Sequence, residues 1–174
     1  MSKFVAIAAS LYLFTIAYFG FAPLASAQPL TYSLNSAISK PMSIFSFSGT
    51  RPTNLGVTPD GKLLSCPDSP NCVSSQDRDA EHQIAPLAFT GDPAQALENL
   101  KAVVTSMPRA KIISAEGNYI YAEFTSAFMG YVDDVEFYLN ADKGIIEVRS
   151  ASRLGKSDLG VNRDRIESIR SKFA

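Results

Sequence analysis

The sequence predicts an α+β domain in which two helices cover one face of an antiparallel sheet. Three features predict this fold: an amphipathic helical pattern near the middle of the chain, a meander of alternating strands after it, and a second helical pattern at the C-terminus. Strands that follow one another between two helices favour antiparallel pairing with the helices on one side. We expect about three to five strands, preceded by an irregular N-terminal segment that a disulfide pins.

Both helices carry recognisable boundaries. Asp92 is a good N-cap, Pro93 suits the first helical position, and Pro108 ends a run in which apolar residues recur at helical spacing. The second helix is expected from Asn162, whose side chain can cap it, to Phe173. Each helix has one apolar stripe to bury against the sheet.

Period-two alternation predicts the strands and their faces. In YIYAEFTSA, Ile120 and Phe124 share one face while Tyr119 and Tyr121 share the other. The segments YVDDVEFYL and IIEVRSASR follow and are joined by the turn NADKG. They are expected to form an antiparallel hairpin.

Charge fixes the register of this hairpin. Pairing Glu136 with Arg149 also places Asp133 opposite Ser152. The competing register, shifted by two residues, sets Glu136 against Glu147, and directly opposed like charges are unfavourable. We therefore predict the register that joins Glu136 to Arg149.

The same register offers two interpretations of the arginines. In the first, Arg149 pairs with Glu136 and Arg153 lies diagonal to Asp134 on an exposed face, where each pair contributes about 0.2–1 kcal/mol. In the second, the positively charged side chains of this region converge on an anion. The residues that would do so are Arg149, Arg153, Lys156 and Arg163.

Asp133 is the anomalous residue of its strand, because alternation places its carboxylate on the apolar face. A buried carboxylate needs donors, and we expect them from Ser150, Ser152 or the backbone amides of residues 155–160. The structural interpretation makes Asp133 an anchor for that loop. The functional interpretation makes it a ligand-binding or general-acid group in a cleft.

The N-terminus is typical of an exported protein. Lys3 precedes a long apolar stretch from Phe4 to about Ala22, and the small residues at 25–27 suit a signal-peptidase site. We therefore divide the chain into a signal peptide (1–27), a Ser/Pro-rich lead-in or linker (28–54) and one domain (55–174). The alternative is an uncleaved membrane anchor over residues 4–24. Periplasm or thylakoid lumen is the expected compartment.

Composition excludes one class of function. The chain of 174 residues has 16 basic and 17 acidic residues, and cleavage would remove only Lys3, leaving 15 against 17 and a net charge of −2. Such a balance lacks the cationic surface of a nucleic-acid binder. We expect no nucleic-acid partner, and a membrane partner only if the first segment is retained.

The two cysteines, Cys66 and Cys72, are expected to form a disulfide in an exported protein. A redox-active pair is the alternative. A metal site would need further ligands, and we expect none, since His82 is the single histidine and is assigned to the surface. No cofactor is expected either, because the nearest phosphate-binding pattern, in SASRLGKS, has Ser150 where a P-loop needs glycine.

Three long motifs resemble a known family. CPDSPNCVSS, AEFTSAFMGYVDDVEFYL and IEVRSASRLGKSDLGVNRDRIESIR are similar to the domain of unknown function 1499 (DUF1499), which occurs in bacteria, including cyanobacteria, and in plant plastids. The likeness runs from Leu55 to Phe173. It implies a fold but no activity, substrate or catalytic residue, since the family has none established.

We expect an exported, non-enzymatic accessory or binding domain for a small anionic ligand or a partner protein. The alternatives are a hydrolase-like enzyme with Asp133 or Asp134 in acid–base chemistry and a disulfide-regulated protein. The candidate ligand-binding residues are Asp133, Asp134, Glu136, Arg149, Ser150, Ser152, Arg153, Lys156, Asp158, Asn162 and Arg163.

Overall fold

An antiparallel sheet forms the centre of the fold in a computed structural model of the chain, which describes residues 47–174. Within that range six strands and two α-helices are present, confirming the α+β prediction. In chain order they are β1 (Cys72–Ser74), β2 (Leu87–Ala88), α1 (Pro93–Ser106), β3 (Ala110–Glu116), β4 (Tyr119–Thr125), β5 (Val132–Asn140), β6 (Ile145–Ser152) and α2 (Val161–Phe173). A 3₁₀ turn (Ala141–Lys143) joins β5 to β6.

The strand order is β1-β6-β5-β4-β3, so the predicted meander makes up most of the sheet. The short strands β1 and β2 pair with different parts of β6 along its outer edge. Glu136 lies opposite Arg149 and Asp133 opposite Ser152, which confirms the predicted register.

Both helices pack on one face of the sheet. Asp92 caps α1 as predicted, since its carboxylate accepts a hydrogen bond from the Ala94 amide at 3.0 Å. The shared core consists of apolar side chains that are essentially inaccessible to solvent: Leu100, Val104, Ile120, Val135, Phe137, Ile146, Val148, Ile166 and Ile169.

The opposite face is not exposed, contrary to prediction. Residues 48–63, which we call the covering segment, lie over it and contact polar side chains of the strands. Arg51 Nε donates to Glu123 Oε1 at 2.6 Å, and the Gly56 amide donates to Glu136 Oε1 at 2.9 Å. Glu136 and Arg149 are therefore 0% and 5% exposed. The sheet is sandwiched between helices on one face and irregular backbone on the other.

Cys66 and Cys72 form the predicted disulfide, with their Cα atoms 5.6 Å apart. The bond closes a loop that leads directly into β1. The predicted signal peptide and most of the lead-in lie outside the described residues, as does the alternative anchor. No helix within residues 47–174 is long and apolar enough to cross a bilayer.

Candidate functional site

Strand alternation divides the predicted site residues between the two faces of the sheet. Asp133 and Ser150 face the helices, whereas Asp134, Glu136 and Arg149 face the covering segment. Adjacent strand residues cannot act on one substrate from opposite faces. The Asp133–Asp134 pair is thus two separate sites, and each has its own arginine.

On the covered face, Arg153 is the centre of an ionic network. Its guanidinium bonds both oxygens of Asp134, at 2.9 and 2.7 Å, and forms an ion pair with Glu123. Tyr121 completes the group, because its hydroxyl donates to Asp134 at 2.5 Å and accepts from Arg153 at 3.1 Å. The Arg153 side chain is only 6% exposed.

The pKa values of Glu123 and Tyr121 reflect these contacts. Burial works against the ionised form of Glu123, but hydrogen bonds from Arg51 and Arg153 outweigh it and lower the pKa of Glu123 to about 2. Burial, followed by the hydrogen bond to Asp134, raises the pKa of Tyr121. Within this network Glu123 is therefore held charged and Tyr121 neutral.

A second buried pair lies next to it. Arg149 Nη1 donates to Glu136 Oε2 at 3.3 Å, and the Tyr119 hydroxyl donates to Glu136 Oε1 at 2.8 Å. Among the described residues, the buried Arg149 Nε has no hydrogen-bond partner. The Arg153 group is thus the more completely hydrogen-bonded of the two.

On the helix face, Asp133 pairs with Arg165, a residue that the sequence did not nominate. We expected serines or loop amides as donors, and that expectation is wrong. Arg165 also donates to Asn162 Oδ1 at 2.5 Å and to Ser150 Oγ at 3.0 Å, and its guanidinium lies 4.9 Å from the centre of the Phe124 ring.

Asn162 joins this cluster to the disulfide loop. The side chain does not cap α2 as predicted; it points inward and is 1% exposed. Its amide nitrogen donates to the carbonyl oxygen of Asn71 and to Ser152 Oγ, each at 2.9 Å. Asn71, which precedes Cys72, in turn donates to the Gly155 carbonyl at 2.8 Å. The disulfide loop therefore holds the connection between β6 and α2.

Asp158 supplies the cap instead. Its carboxylate accepts hydrogen bonds from the Asn162 amide at 2.7 Å and the Gly160 amide at 3.0 Å. This arrangement fixes the first turn of α2, and an acidic side chain here also complements the helix dipole.

A cleft of about 380 Å³ opens between the β4–β5 and β6–α2 connections. It is within the usual range for small-molecule sites, about 300–1,000 Å³. Two aspartates and no basic residue line it. The lining residues are Phe47, Ser126, Tyr131, Asp133, Ser152, Leu154, Gly155, Ser157, Asp158 and Val161.

The rim of the cleft is apolar. Among residues 47–174, seven large apolar side chains are exposed, and only Leu64 lies away from the cleft and its two loops. The other six are Phe47, Phe128, Tyr131, Leu154, Leu159 and Val161. Phe47 stacks on Tyr131 with ring centres 5.6 Å apart. Exposed apolar surface that is concentrated in one place marks an interaction site.

The four basic residues expected to converge on an anion do not meet. Arg149 and Arg153 pair with carboxylates on the covered face. Arg163 donates to the carbonyl oxygens of Gln83 and Glu81, both at 2.8 Å, and Lys156 is exposed in the β6–α2 connection. The sheet and its pairing leave no shared cationic pocket among these four residues.

The sequence pattern could have identified some of the partner residues that were not predicted. Arg165 is three residues after Asn162 and four before Ile169, so helical periodicity places it on the buried stripe of α2. Tyr121 and Glu123 share the strand face of the charged residues on β5. Arg51, in a segment without periodicity, had no such signal.

His82 is buried rather than on the surface, which corrects the sequence assignment. It is 7% exposed, with Nδ1 2.7 Å from Asp79 Oδ1 and Nε2 3.2 Å from the Ser69 carbonyl oxygen. Because both neighbours are acceptors, the cationic ring can donate to both. Burial opposes the charge, but these partners outweigh it and raise the pKa of His82.

We expect the His82 ring proton signals to titrate with a midpoint above about 6.5, the ordinary value. Since the pKa is raised in the folded state, the stabilisation by this pair is complete below that pH and is lost as pH rises through the midpoint. Proton NMR can follow it without ambiguity, because the chain has one histidine. Asp79→Asn should lower the midpoint; a wild-type midpoint at or below 6.5 would contradict the assignment.

Within residues 47–174, no group of three or more histidine, cysteine or acidic side chains is arranged to hold a metal ion. The chemistry of the cleft follows from its hydroxyls, carboxylates and apolar rim. Acceptors at the floor and apolar carbon at the edge suit a ligand with a donor group and an apolar body.

Comparison with known proteins points to the family alone. No curated protein and no solved structure matches the chain. A family model described as a protein of unknown function (DUF1499) matches residues 62–173, well over half of the sequence. The match spans the disulfide, all six strands and both helices. The chain therefore belongs to the DUF1499 family.

Proposed function

We propose that the domain is a non-enzymatic binding module, acting after export, whose cleft holds a small ligand with an apolar body and a hydrogen-bond-donating group. The supporting observation is the composition of the cleft, which is lined by apolar and aromatic side chains at the rim together with two aspartates and three serines. The expected ligand is a primary amine or an alcohol.

This proposal replaces the anionic ligand expected from the sequence. The arginines that motivated that expectation are paired with carboxylates, and no basic residue lines the cleft. Asp133 is partly neutralised by Arg165, but Asp158 contributes a second carboxylate. The balance of charge favours a cation or a neutral donor over an anion.

The acid–base alternative has less support. Asp134 is 2% exposed and is bonded by Arg153 and Tyr121 on the covered face. Asp133 reaches the cleft, but its partner is a guanidinium. The Asp133 oxygen that accepts from this guanidinium is occupied by that contact and is poorly placed to exchange a proton with a substrate. We therefore assign Asp133 to ligand positioning.

Matched probes test the proposal. Octylamine, octanol and octanoate share one apolar chain and differ in the head group. We expect octylamine and octanol to raise the melting temperature in proportion to their binding, and octanoate to do so least. If octanoate binds as well as octylamine, the anionic ligand is favoured instead.

A pair of leucine variants locates the binding. Leu154, at the rim, and Leu64, away from it, are 44% and 40% exposed. Leu154→Ser should weaken octylamine binding about tenfold, the loss expected for one apolar contact. Leu64→Ser should leave it unchanged, and equal effects of the two substitutions would place the ligand elsewhere.

Disulfide regulation remains a second candidate, and the contacts of Asn71 favour it. Asn71 links the disulfide loop to Gly155, which lines the cleft. Reduction of the bond by a dithiol would release this link. Repeating the octylamine titration on reduced protein tests the idea, because unchanged affinity would exclude regulation of the cleft.

A further inference from the structure

Leu159 is the most exposed of the large apolar side chains in the described residues. It is 94% exposed and lies between Asp158 and Gly160, in the connection that forms one wall of the cleft. Phe128, in the β4–β5 connection that forms the other wall, is 87% exposed. Both side chains protrude from the rim and do not line the cleft.

The backbone holds Leu159 in this position at a cost. Its φ angle of 55° lies in the left-handed region, which a bulky residue rarely adopts. The Asp158 carboxylate bonds the amides of Gly160 and Asn162 on its C-terminal side, so the turn is fixed by hydrogen bonds. Backbone strain of this kind clusters at functional sites.

We propose that these two connections dock on a lipid bilayer, with Leu159 inserted among the acyl chains. Protruding apolar side chains suit a soft apolar phase, whereas anchors for a protein partner fill concave pockets. The neighbouring groups are compatible with lipid. Tyr131 has the amphipathic ring that suits the headgroup level, and the exposed Lys156 can approach lipid phosphates.

The path of the chain supports a bilayer as the occupant. The described fold begins at Phe47, whose amide donates to the Met129 carbonyl at 3.2 Å and whose ring stacks on Tyr131. The residues before it include the apolar stretch from Phe4 to Ala22. If this stretch is retained as a membrane anchor, the chain that leads from it enters the described fold at this rim. The acidic groups do not oppose docking, because Asp133 is buried against Arg165 and Asp158 caps α2.

This inference goes beyond the proposed function. The ligand occupies the cleft behind Leu154, whereas the bilayer contacts the tips of its walls. Loss of octylamine binding in Leu154→Ser and lipid contact by Leu159 are separate readouts, so either proposal can fail alone.

The absence of tryptophan from the chain provides a clean experiment. Full-length L159W and, as the matched control, L64W are bound to phosphatidylcholine vesicles with or without bromine on the acyl chains. We expect L159W emission to shift to the blue and to lose most of its intensity on brominated lipid, while L64W is unaffected. Quenching by the brominated acyl chains measures how deeply the tryptophan enters the bilayer. This depth is the informative quantity, because the N-terminal apolar stretch can itself bind vesicles.

Two results would overturn the proposal. Equal quenching of L159W and L64W would mean that the surface is not oriented toward lipid. A blue shift of L159W without quenching would mean that protein, from a partner or another part of the chain, covers Leu159.

Discussion

Replacing Arg153 with methionine is expected to lower the free energy of unfolding by about 3 kcal/mol, because the substitution leaves buried carboxylates without their counter-ion. Arg153 contacts Asp134, Glu123 and Tyr121 with a side chain that is 6% exposed. Methionine keeps most of the packing volume, so the loss reports the ionic contacts. Urea denaturation followed by circular dichroism measures it.

Arg51→Met is the matched control. Arg51 also bonds Glu123, but its side chain is 52% exposed, and exposed ion pairs contribute at most about 1 kcal/mol. Similar losses in the two variants would show that the covered face is open to water in solution.

The loss of unfolding free energy caused by Arg153→Met should also depend on pH. The pKa of Glu123 is lowered to about 2 from an ordinary 4.5. Stabilisation by its ionised form is therefore complete above pH 4.5 and is lost as pH falls toward 2. The difference between wild type and Arg153→Met should accordingly shrink over that interval.

The parts of the fold that were predictable are those with a repeating pattern. Alternation assigned the strand faces, and opposed charges selected the pairing of Glu136 with Arg149. Asp92 and Pro93 marked the start of α1. These signals are local, and each refers to one or two elements.

The covering segment could not be predicted, because its contacts are made by irregular backbone. Gly56 bonds Glu136 through its amide, and no side-chain pattern records such a contact. Without this segment, the Arg149–Glu136 pair was assigned to an exposed surface, where an ion pair contributes little to stability. Both side chains are in fact buried. Solvent exposure of a strand face depends on whether another segment of the chain packs over it.

The cleft was only partly predictable for a related reason. Its floor contains Asp133, Ser152 and Asp158, which were predicted as ligand-binding residues. Its rim depends on the conformations of the β4–β5 and β6–α2 connections. Leu159 is directed outward by a left-handed backbone that the sequence DLG does not specify. The apolar rim therefore appears only when the loops are placed.

Replacing Arg165 with methionine tests the other face of the sheet, and we again expect a loss of about 3 kcal/mol in the free energy of unfolding. Arg165 pairs with Asp133, donates to Asn162 and Ser150, and packs over Phe124, with a side chain that is 9% exposed. Its removal leaves the Asp133 carboxylate without its partner and breaks the bond to Ser150, one of the links between β6 and α2. Lys172→Met, on an exposed position of the same helix, should change stability by less than about 0.5 kcal/mol.

A double variant separates the charge from the shape of Arg165. Asp133→Asn combined with Arg165→Met removes both charges, so the pair should be less destabilised than the sum of the single substitutions. Additive losses would mean that Asp133 does not depend on Arg165, which would favour an acid–base role for Asp133 at the cleft. A strong coupling would establish that Arg165 holds Asp133 in place as a hydrogen-bond acceptor. That arrangement is the one that the proposed amine or alcohol ligand requires.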